Sequence, residues 1–340
     1  MKLKTFFLCL LCGLNALPAF GADAGLRYIK TRGKVICGTD MSTKTFAYTD
    51  EEQIRRGIDA DFCRMFALAI FGNSESFVLK NVPADKISKA LANNQIDFML
   101  GNTSASAETE IGTPISPVEI LYYDKQVFAA GQNEKQASSM EDFRGAKVCV
   151  LKNSPYEENL REYNHRYGLE FKLLTFPSLQ ALREAFYLKR CDLITGSQIY
   201  LRGLAASPIA KNTQISVLPE EIALAPVYAY ADRGNPTLKT IGKWIVNAPK
   251  LAEAQEITSK NIDGVIGVRD ASIANLLGLN PKLWQKFGLQ PQWAKQYVKD
   301  YGNYGEVFER NLGSGSDLRI ERDKNYLWNR GGMITALPFI

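Results

Sequence analysis

Short apolar runs that are typical of buried strands alternate along this chain with longer stretches whose apolar residues recur at helical spacing. Residues 35–38 predict the first strand, and residues 61–71 predict a helix with one apolar face. Residues 86–93 predict a second helix, and residues 97–100 predict a strand that ends at Gly101. Strands that alternate with helices in this way indicate a mainly parallel sheet.

The same alternation starts again in the middle of the chain. Residues 148–151 and 192–195 predict strands, and residues 156–163 and 179–187 predict helices. Ser154 is placed to cap the first of these helices. Two such series indicate an α/β protein with two lobes, and ligands of such sheets bind beyond the carboxyl ends of the strands.

Two further segments are candidates for crossovers between the lobes. They are residues 121–128 and residues 215–218 with 227–230. If the chain crosses twice, lobe 1 comprises residues 22–127 and 219–340, including a C-terminal extension, and lobe 2 comprises residues 128–218. Two crossing segments would form a hinge that closes the lobes around a ligand. Later helices are predicted at residues 240–246, 251–259 and 273–277.

Composition narrows the class of protein. The 340 residues include 41 Lys and Arg against 36 Asp and Glu, a net charge of +5, and 46% are hydrophobic. A chain of this composition is expected to fold into a globular protein. Its net charge is too small to indicate that it binds nucleic acid. A single histidine, His165, makes histidine-rich metal sites and most catalytic triads unavailable. This composition points away from a hydrolase and towards a soluble two-lobed protein. We expect this protein to bind no metal and no cofactor.

The N-terminal segment has the three parts of a secretory signal peptide. Residues 1–4 carry two lysines, residues 5–17 form an apolar run, and small residues surround position 21. The alternative is an uncleaved anchor, but the run is too short to span a bilayer stably. We therefore expect a signal peptide at residues 1–21 and an exported protein that begins at Ala22.

Four cysteines remain after this segment, and an even number in an exported chain predicts disulfides. They are Cys37, Cys63, Cys149 and Cys191. Four cysteines allow three pairings, and the spacing favours one local bridge in each lobe, Cys37 with Cys63 and Cys149 with Cys191. Metal binding is the weaker alternative, because the chain has no CxxC pair and only one histidine.

Three motifs match the landmarks of a known family. They are GIDADFCR at residues 57–64, GNYGEVFERN at residues 302–311 and LWNRGG at residues 327–332. These motifs resemble the bacterial family 3 periplasmic solute-binding proteins, and most of all the general L-amino-acid-binding subgroup that serves polar amino acid ABC transporters. The resemblance covers nearly the whole mature chain. It implies a two-lobed periplasmic binding protein fold with two hinge crossovers, a location in the periplasm, a small polar solute as ligand, and the membrane subunits of an ABC permease as partners.

The residues at the implied ligand pocket depart from the family pattern at two positions. Family members have an Arg that binds the ligand's carboxylate, and here Thr109 stands at that position, after a segment in which Asn102, Ser104 and Ser106 still offer hydrogen bonds. Family members also have an Asp for the ligand's ammonium group, and here Gly196 replaces it. The loss of both charges leaves a neutral pocket, which suits a less zwitterionic ligand or a receptor that no longer binds one.

Four other residues are candidates for contact with a ligand. Phe46 matches an aromatic residue that packs on the ligand, or it is an ordinary core residue. Ser154 lies at a helix N-terminus that favours an anion, although Pro155 removes one of the N–H donors. Arg55 and Arg56 provide a relocated cation for an acidic ligand, or they form an exposed, solvated pair.

Three functions from different classes follow. The first is a receptor, not an enzyme, that delivers an amino acid or a related small polar solute to an ABC permease. The second is a paralogue that has lost ligand binding and serves as a sensor or partner protein. The third is an enzyme, for which the cleft loops offer the carboxyl groups of Glu108, Glu110 and Glu157. Glu157 is instead expected to stabilise the first turn of its helix.

Overall fold

The structure is a computed structural model that describes residues 24–41, 45–101, 110–131, 139–207, 215–266 and 270–340. The strands are β1 (Val35–Thr39), β2 (Tyr48–Thr49), β3 (Arg55–Arg56), β4 (Phe77–Asn81), β5 (Phe98–Met99), β6 (Ile115–Gly131), β7 (Lys147–Leu151), β8 (Lys172–Phe176), β9 (Leu193–Ser197) and β10 (Ile215–Asp232). The helices are α1 (Ala24–Arg32), α2 (Ile58–Phe71), α3 (Ile87–Ala92), α4 (Pro155–Tyr167), α5 (Leu179–Tyr187), α6 (Gln198–Ala206), α7 (Pro236–Ala254), α8 (Ala271–Leu276), α9 (Pro281–Lys286), α10 (Trp293–Tyr301) and α11 (Tyr304–Asn311). None of the helices in these ranges is both long and apolar enough to cross a membrane. The predicted signal peptide lies outside the described residues.

Eight strands form one sheet in the order β4-β1-β5-β10-β6-β9-β7-β8. In one half β1 is parallel to β4 and β5, and in the other half β7 is parallel to β8 and β9. The antiparallel strands β6 and β10 lie between the halves. We call the half with β1 lobe 1 and the half with β7 lobe 2. The predicted α/β class with two lobes is confirmed.

The two crossovers are the long strands β6 and β10, which pair with each other from Ile215–Gly131 to Asp232–Ile115. The sequence predicts a second crossover that runs from residues 215–218 on to residues 227–230, and the structure has one continuous strand there. The pairing is irregular between Val217 and Glu221, where Pro219 cannot donate a hydrogen bond. The lobe limits at residues 127/128 and 218/219 fall within these strands and stay a prediction.

Helix α7 differs from the prediction, because residues 236–254 form one helix where two were expected, and the second was expected to reach residue 259. Pro249 lies inside this helix. Its missing N–H removes one helical hydrogen bond, which normally kinks or ends a helix. Every residue from Ile245 to Glu253 is nevertheless buried, so packing around this segment offsets the loss. The predicted helix at 273–277 corresponds to α8.

Two disulfides join neighbouring elements of each lobe, as predicted. Cys37 of β1 is bonded to Cys63 of α2, and Cys149 of β7 is bonded to Cys191, which precedes β9. The bonded residues are 26 and 42 positions apart. Each bridge therefore contributes about 3–4 kcal/mol in the chain-entropy model.

The C-terminal extension, residues 270–340, packs as part of lobe 1 and also forms hydrogen bonds with the crossover strand β6. Its helices share one apolar cluster with α2 and α7, centred on Trp284, Trp293 and Tyr297. The side chain of Asn325 binds the backbone of Tyr123 in β6 twice, accepting from the N–H at 2.7 Å and donating to the carbonyl at 2.9 Å. The extension thus fixes one point of the hinge.

Candidate ligand-binding cleft

The two lobes touch each other beyond the ends of their strands. Ile199, in the first turn of α6 in lobe 2, belongs to the apolar cluster of lobe 1. Gly203 of the same helix lies against Thr45 of lobe 1, because a Cβ atom at Gly203 would be 2.8 Å from the Thr45 Oγ1 atom. The structure therefore shows a closed cleft, at the place where ligands of such sheets bind.

Gly196 lies on the lobe 2 side of this cleft. It is buried in β9, and a Cβ atom added to it would meet nothing within 4 Å. The cavity that it lines with Tyr156 and Tyr200 has a volume of about 10 Å³. That is about the space of one water molecule. This cavity, taken by itself, is therefore much smaller than a free amino acid.

Asp124 and Ser197 form the floor of the cleft beside Gly196. The Ser197 hydroxyl donates to the Asp124 carboxylate, and its oxygen accepts the Tyr200 N–H at 3.1 Å. Burial raises the pKa of Asp124 to about 6, although hydrogen bonds from Ser197 and the backbone oppose the shift. Because Asp124 belongs to β6, this contact connects the crossover to the first turn of α6.

The N-terminus of α4 provides less anion binding than the resemblance implies. Ser154 is the N-cap residue, as predicted, but its hydroxyl donates to the Leu151 carbonyl at 2.6 Å and does not cap the helix. The Glu157 carboxylate accepts the Asn153 N–H at 2.9 Å and pairs with Arg161 at 2.6 Å. These contacts, Arg161 foremost, lower the pKa of Glu157. The chain's own carboxylate therefore uses part of the site that a ligand's carboxylate would need.

On the lobe 1 side, Asp59 is buried at the start of α2. The Thr39 hydroxyl donates to its carboxylate, and a side chain at Gly101 would collide with the same group. Burial is the main cause that raises the pKa of Asp59 to about 8, and the charge of Asp40 adds to the shift. Asp59 is therefore mostly protonated at neutral pH.

We expect Asp59→Asn to remove part of the pH dependence of stability. The folded-state pKa of about 8 lies above the unfolded value of about 4, so the folded state holds the proton more tightly. The free energy of unfolding of the wild type should then fall as the pH rises from about 4 to 8, whereas Asn has no proton to lose. Urea unfolding at pH 5, 7 and 9 measures this, with the exposed Asp85→Asn as the control. A difference between wild type and Asp59→Asn that stays constant over this range would contradict the assignment.

Sequence reasoning missed Asp40, which follows β1. Burial is the largest cause that raises the pKa of Tyr156 and Tyr200 in lobe 2, and the charge of Asp40 adds to both shifts. The charge of Asp40 also adds to the rise in the pKa of Asp59 in lobe 1. Asp40 therefore lies close enough to Tyr156, Tyr200 and Asp59 to interact with them electrostatically. Its position directly after a predicted strand was the available signal, because the carboxyl ends of strands carry ligand contacts in such sheets.

The remaining predicted site residues fall into three groups. Phe46 is buried in the lobe 1 cluster, so its contact with a ligand stays a prediction. Arg55 pairs with Glu75 at 2.6 Å and Arg56 pairs with Asp50 at 2.8 Å, so both arginines are held by carboxylates. Asn102, Ser104, Ser106 and Thr109 lie outside the described residues, as does Glu108.

The family of this chain is indicated by similar proteins of known role. No protein-family model matches the chain. The General L-amino acid-binding periplasmic protein AapJ of Rhizobium johnstonii is 33% identical, and the match covers 95% of this chain and 96% of AapJ. The Glutamate/glutamine/aspartate/asparagine-binding protein BztA of Rhodobacter capsulatus is 29% identical over the full length of both chains.

A solved structure is similar over almost the whole molecule. It is an ABC transporter periplasmic binding protein from Brucella ovis with glutathione bound, 29% identical, with a TM-score of 0.85. The match covers 92% of this chain and 98% of the Brucella protein. Sequence and structure therefore agree that this chain belongs to the periplasmic amino-acid-binding proteins of ABC transporters.

Proposed function

We propose that the protein is a periplasmic receptor that binds an amino acid or a short peptide-like solute between its lobes and delivers it to the membrane subunits of an ABC permease. The observation that carries this proposal is the closed cleft, in which Ile199 and Gly203 of lobe 2 contact lobe 1. The names of the relatives, which bind amino acids or glutathione, support the ligand class.

The proposed lobes are residues 22–127 with 219–340 and residues 128–218. The irregular pairing of β10 between Val217 and Glu221 supports a hinge there, because regular ladder hydrogen bonds are interrupted. A mature protein that starts at Ala22, after cleavage of a signal peptide, accounts for its export to the periplasm.

Asp40 is the proposed partner for the ligand's ammonium group. Gly196 removes the lobe 2 carboxylate that the family resemblance implies, and Asp40 brings a carboxylate to the cleft from lobe 1. A charge-assisted hydrogen bond from an ammonium group to a carboxylate is stronger than a neutral one. The ligand's carboxylate has no arginine at position 109 to bind it, so hydrogen bonds from the Ser104 and Ser106 segment would have to replace that contact.

The contacts of the Glu157 and Asp59 carboxyl groups fit a receptor better than an enzyme. Catalysis requires an acid or base that reaches the substrate. Glu157 is held by Arg161 and the Asn153 N–H, and Asp59 is buried under Thr39 and Gly101. These contacts give both carboxyl groups a structural role in the fold.

A thermal-shift screen of the protein from Ala22 onward tests the proposal. The panel should contain the common amino acids, dicarboxylates, amines, glutathione and other short peptides, and sugars. A ligand at 100 times its Kd adds about 2.7 kcal/mol to the free energy of unfolding. At roughly 2–4 °C per kcal/mol, the melting temperature should rise by several degrees. A protein that melts cooperatively and responds to none of these solutes would instead be the paralogue without ligand binding.

A further inference from the structure

Gly203 of α6 is the point at which lobe 2 meets the Thr45 side chain of lobe 1. A Cβ atom at Gly203 would lie 2.8 Å from the Oγ1 atom of Thr45 and 3.0 Å from its Cγ2 atom. Non-bonded carbon atoms pack at about 3.5–4.0 Å from each other. Thr45 is 2% exposed, and a side chain branched at Cβ has few rotamers, so it has little freedom to turn away. The closed cleft therefore has no room for a side chain at position 203.

The backbone of α6 does not itself require a glycine at this position. Gly203 lies inside the helix, which continues to Ala206, and its φ is not in the left-handed region. A glycine inside a helix lowers the stability of that helix relative to alanine, because it loses more backbone entropy on folding. The local structure would thus favour alanine, and the contact with Thr45 is what accounts for the glycine.

Gly242 of α7 provides a contrast within the same protein. A Cβ atom there would lie 2.8 Å from the Cγ1 atom of Val118 and 2.9 Å from the Cε1 atom of Phe98. Val118 and Phe98 belong to the apolar cluster of lobe 1, as does most of the buried face of α7. The contact at Gly242 therefore lies within one lobe and persists when the lobes separate, whereas the contact at Gly203 joins two lobes and is lost.

We propose that Gly203 is a positioning residue for closure: the missing side chain allows α6 to approach Thr45, and this sets the equilibrium between the open and the closed lobes. The inference rests on the proposed function, because closure is how the proposed receptor holds its solute. A side chain at position 203 then raises the free energy of the closed state alone. A solute that binds between the closed lobes loses affinity in proportion to the lost closed population.

Titration calorimetry, melting curves and small-angle X-ray scattering on a set of variants test this role. Gly203→Ala adds one methyl group, and Gly203→Leu adds more volume with a residue that also favours a helix. Gly242→Ala is the matched control, because it makes the same chemical change inside another helix. The probes are glutathione, L-glutamate and L-glutamine, together with any further solute of the thermal-shift panel that raises the melting temperature.

We expect Gly203→Ala to weaken binding of these probes by about tenfold and Gly203→Leu by about a hundredfold or more, since overpacking a tight contact has that order of effect. The ligand-free Gly203→Ala protein should melt at the wild-type temperature or up to about 4 °C above it, because alanine stabilises α6. Gly242→Ala should instead melt below the wild type, with affinities changed by less than about threefold. The radius of gyration should decrease when a probe is added to the wild type, but not to Gly203→Leu.

A compensating substitution identifies the contact itself. Thr45→Ala removes the Oγ1 and Cγ2 atoms, so in that background Gly203→Ala should weaken binding by less than about threefold. Equal affinities in Gly203→Ala and the wild type would overturn the proposal. A ligand-free Gly203→Ala protein that melts several degrees below the wild type would also overturn it, since the contact would then be permanent packing. A wild type that binds no probe and no solute of the panel would overturn the proposed function, and the ligand-free melting comparison would still decide whether the contact is permanent.

Discussion

Arg322→Met is expected to lower the free energy of unfolding by about 3–5 kcal/mol, the loss typical of removing one partner of a buried ion pair. Arg322 forms a two-point ion pair with Glu253 of α7, with distances of 2.8 and 3.0 Å. Arg322 is 7% exposed and Glu253 is 4% exposed. The substitution would therefore leave the Glu253 carboxylate buried without its cation.

The consequence should extend to the hinge, because Arg322 also donates to the carbonyl of Asn325 at 2.9 Å. Asn325 is the residue that binds the backbone of Tyr123 in β6. Lys125 of β6 pairs in addition with Asp323 at 2.6 Å. The segment from Arg322 to Asn325 thus connects helix α7 to the crossover strand, and loss of the ion pair should also loosen that connection.

Urea unfolding of the variant measures the loss, and two further variants separate its causes. The double variant Arg322→Met with Glu253→Met should recover most of the stability, because a buried pair replaced by apolar residues leaves no unpaired charge. Arg330→Met should change the free energy by less than about 0.5 kcal/mol, since its 3.4 Å pair with Glu256 is exposed. A double variant as unstable as Arg322→Met would show that lost packing, rather than the unpaired carboxylate, is responsible.

The parts of the fold that depend on local pattern could be predicted from the sequence. The apolar runs before Cys37 and around Cys149 predict β1 and β7, and the spacing of the four cysteines predicts both disulfides. Periodicity does not indicate where two distant segments pair, so the pairing of β10 with β6 along its whole length was not predicted. The single helix α7 was predicted as two helices for a similar reason, because burial by elements distant in sequence outweighs the local preference of Pro249.

The candidate site depends even more on distant contacts. The partners of Arg55 and Arg56 could not be read from the sequence, since Glu75 lies in the turn before β4 and Asp50 lies in the turn that joins β2 to β3. Asp40 carried a local signal, but its effect on Tyr156 and Tyr200 requires the two lobes to come together. Gly196 was identified by comparison with the family pattern, and the structure adds that a Cβ atom at this position would meet nothing within 4 Å.

That space makes the reverse experiment possible: Thr109→Arg with Gly196→Asp should increase the affinity for free amino acids by about a hundredfold or more. Each substitution restores one charged contact, and a hydrogen bond to a charged group contributes about 1.5–3 kcal/mol. Two such contacts correspond to a factor of about 100 to 10,000 in Kd. Gly196 is suited to the change, because a Cβ atom there meets nothing within 4 Å and its φ is not in the left-handed region.

Calorimetry with a set of amino acids on the wild type, the two single variants and the double variant measures the gain, and Gly196→Ala controls for the added volume. Each single variant should gain less than half of the free energy gained by the double variant, because a zwitterion that meets only one partner keeps the other charge poorly solvated. A pocket that has only lost its charged residues should recover amino-acid binding in this way. A double variant that folds like the wild type and binds no amino acid would mean that the ligand does not contact positions 109 and 196.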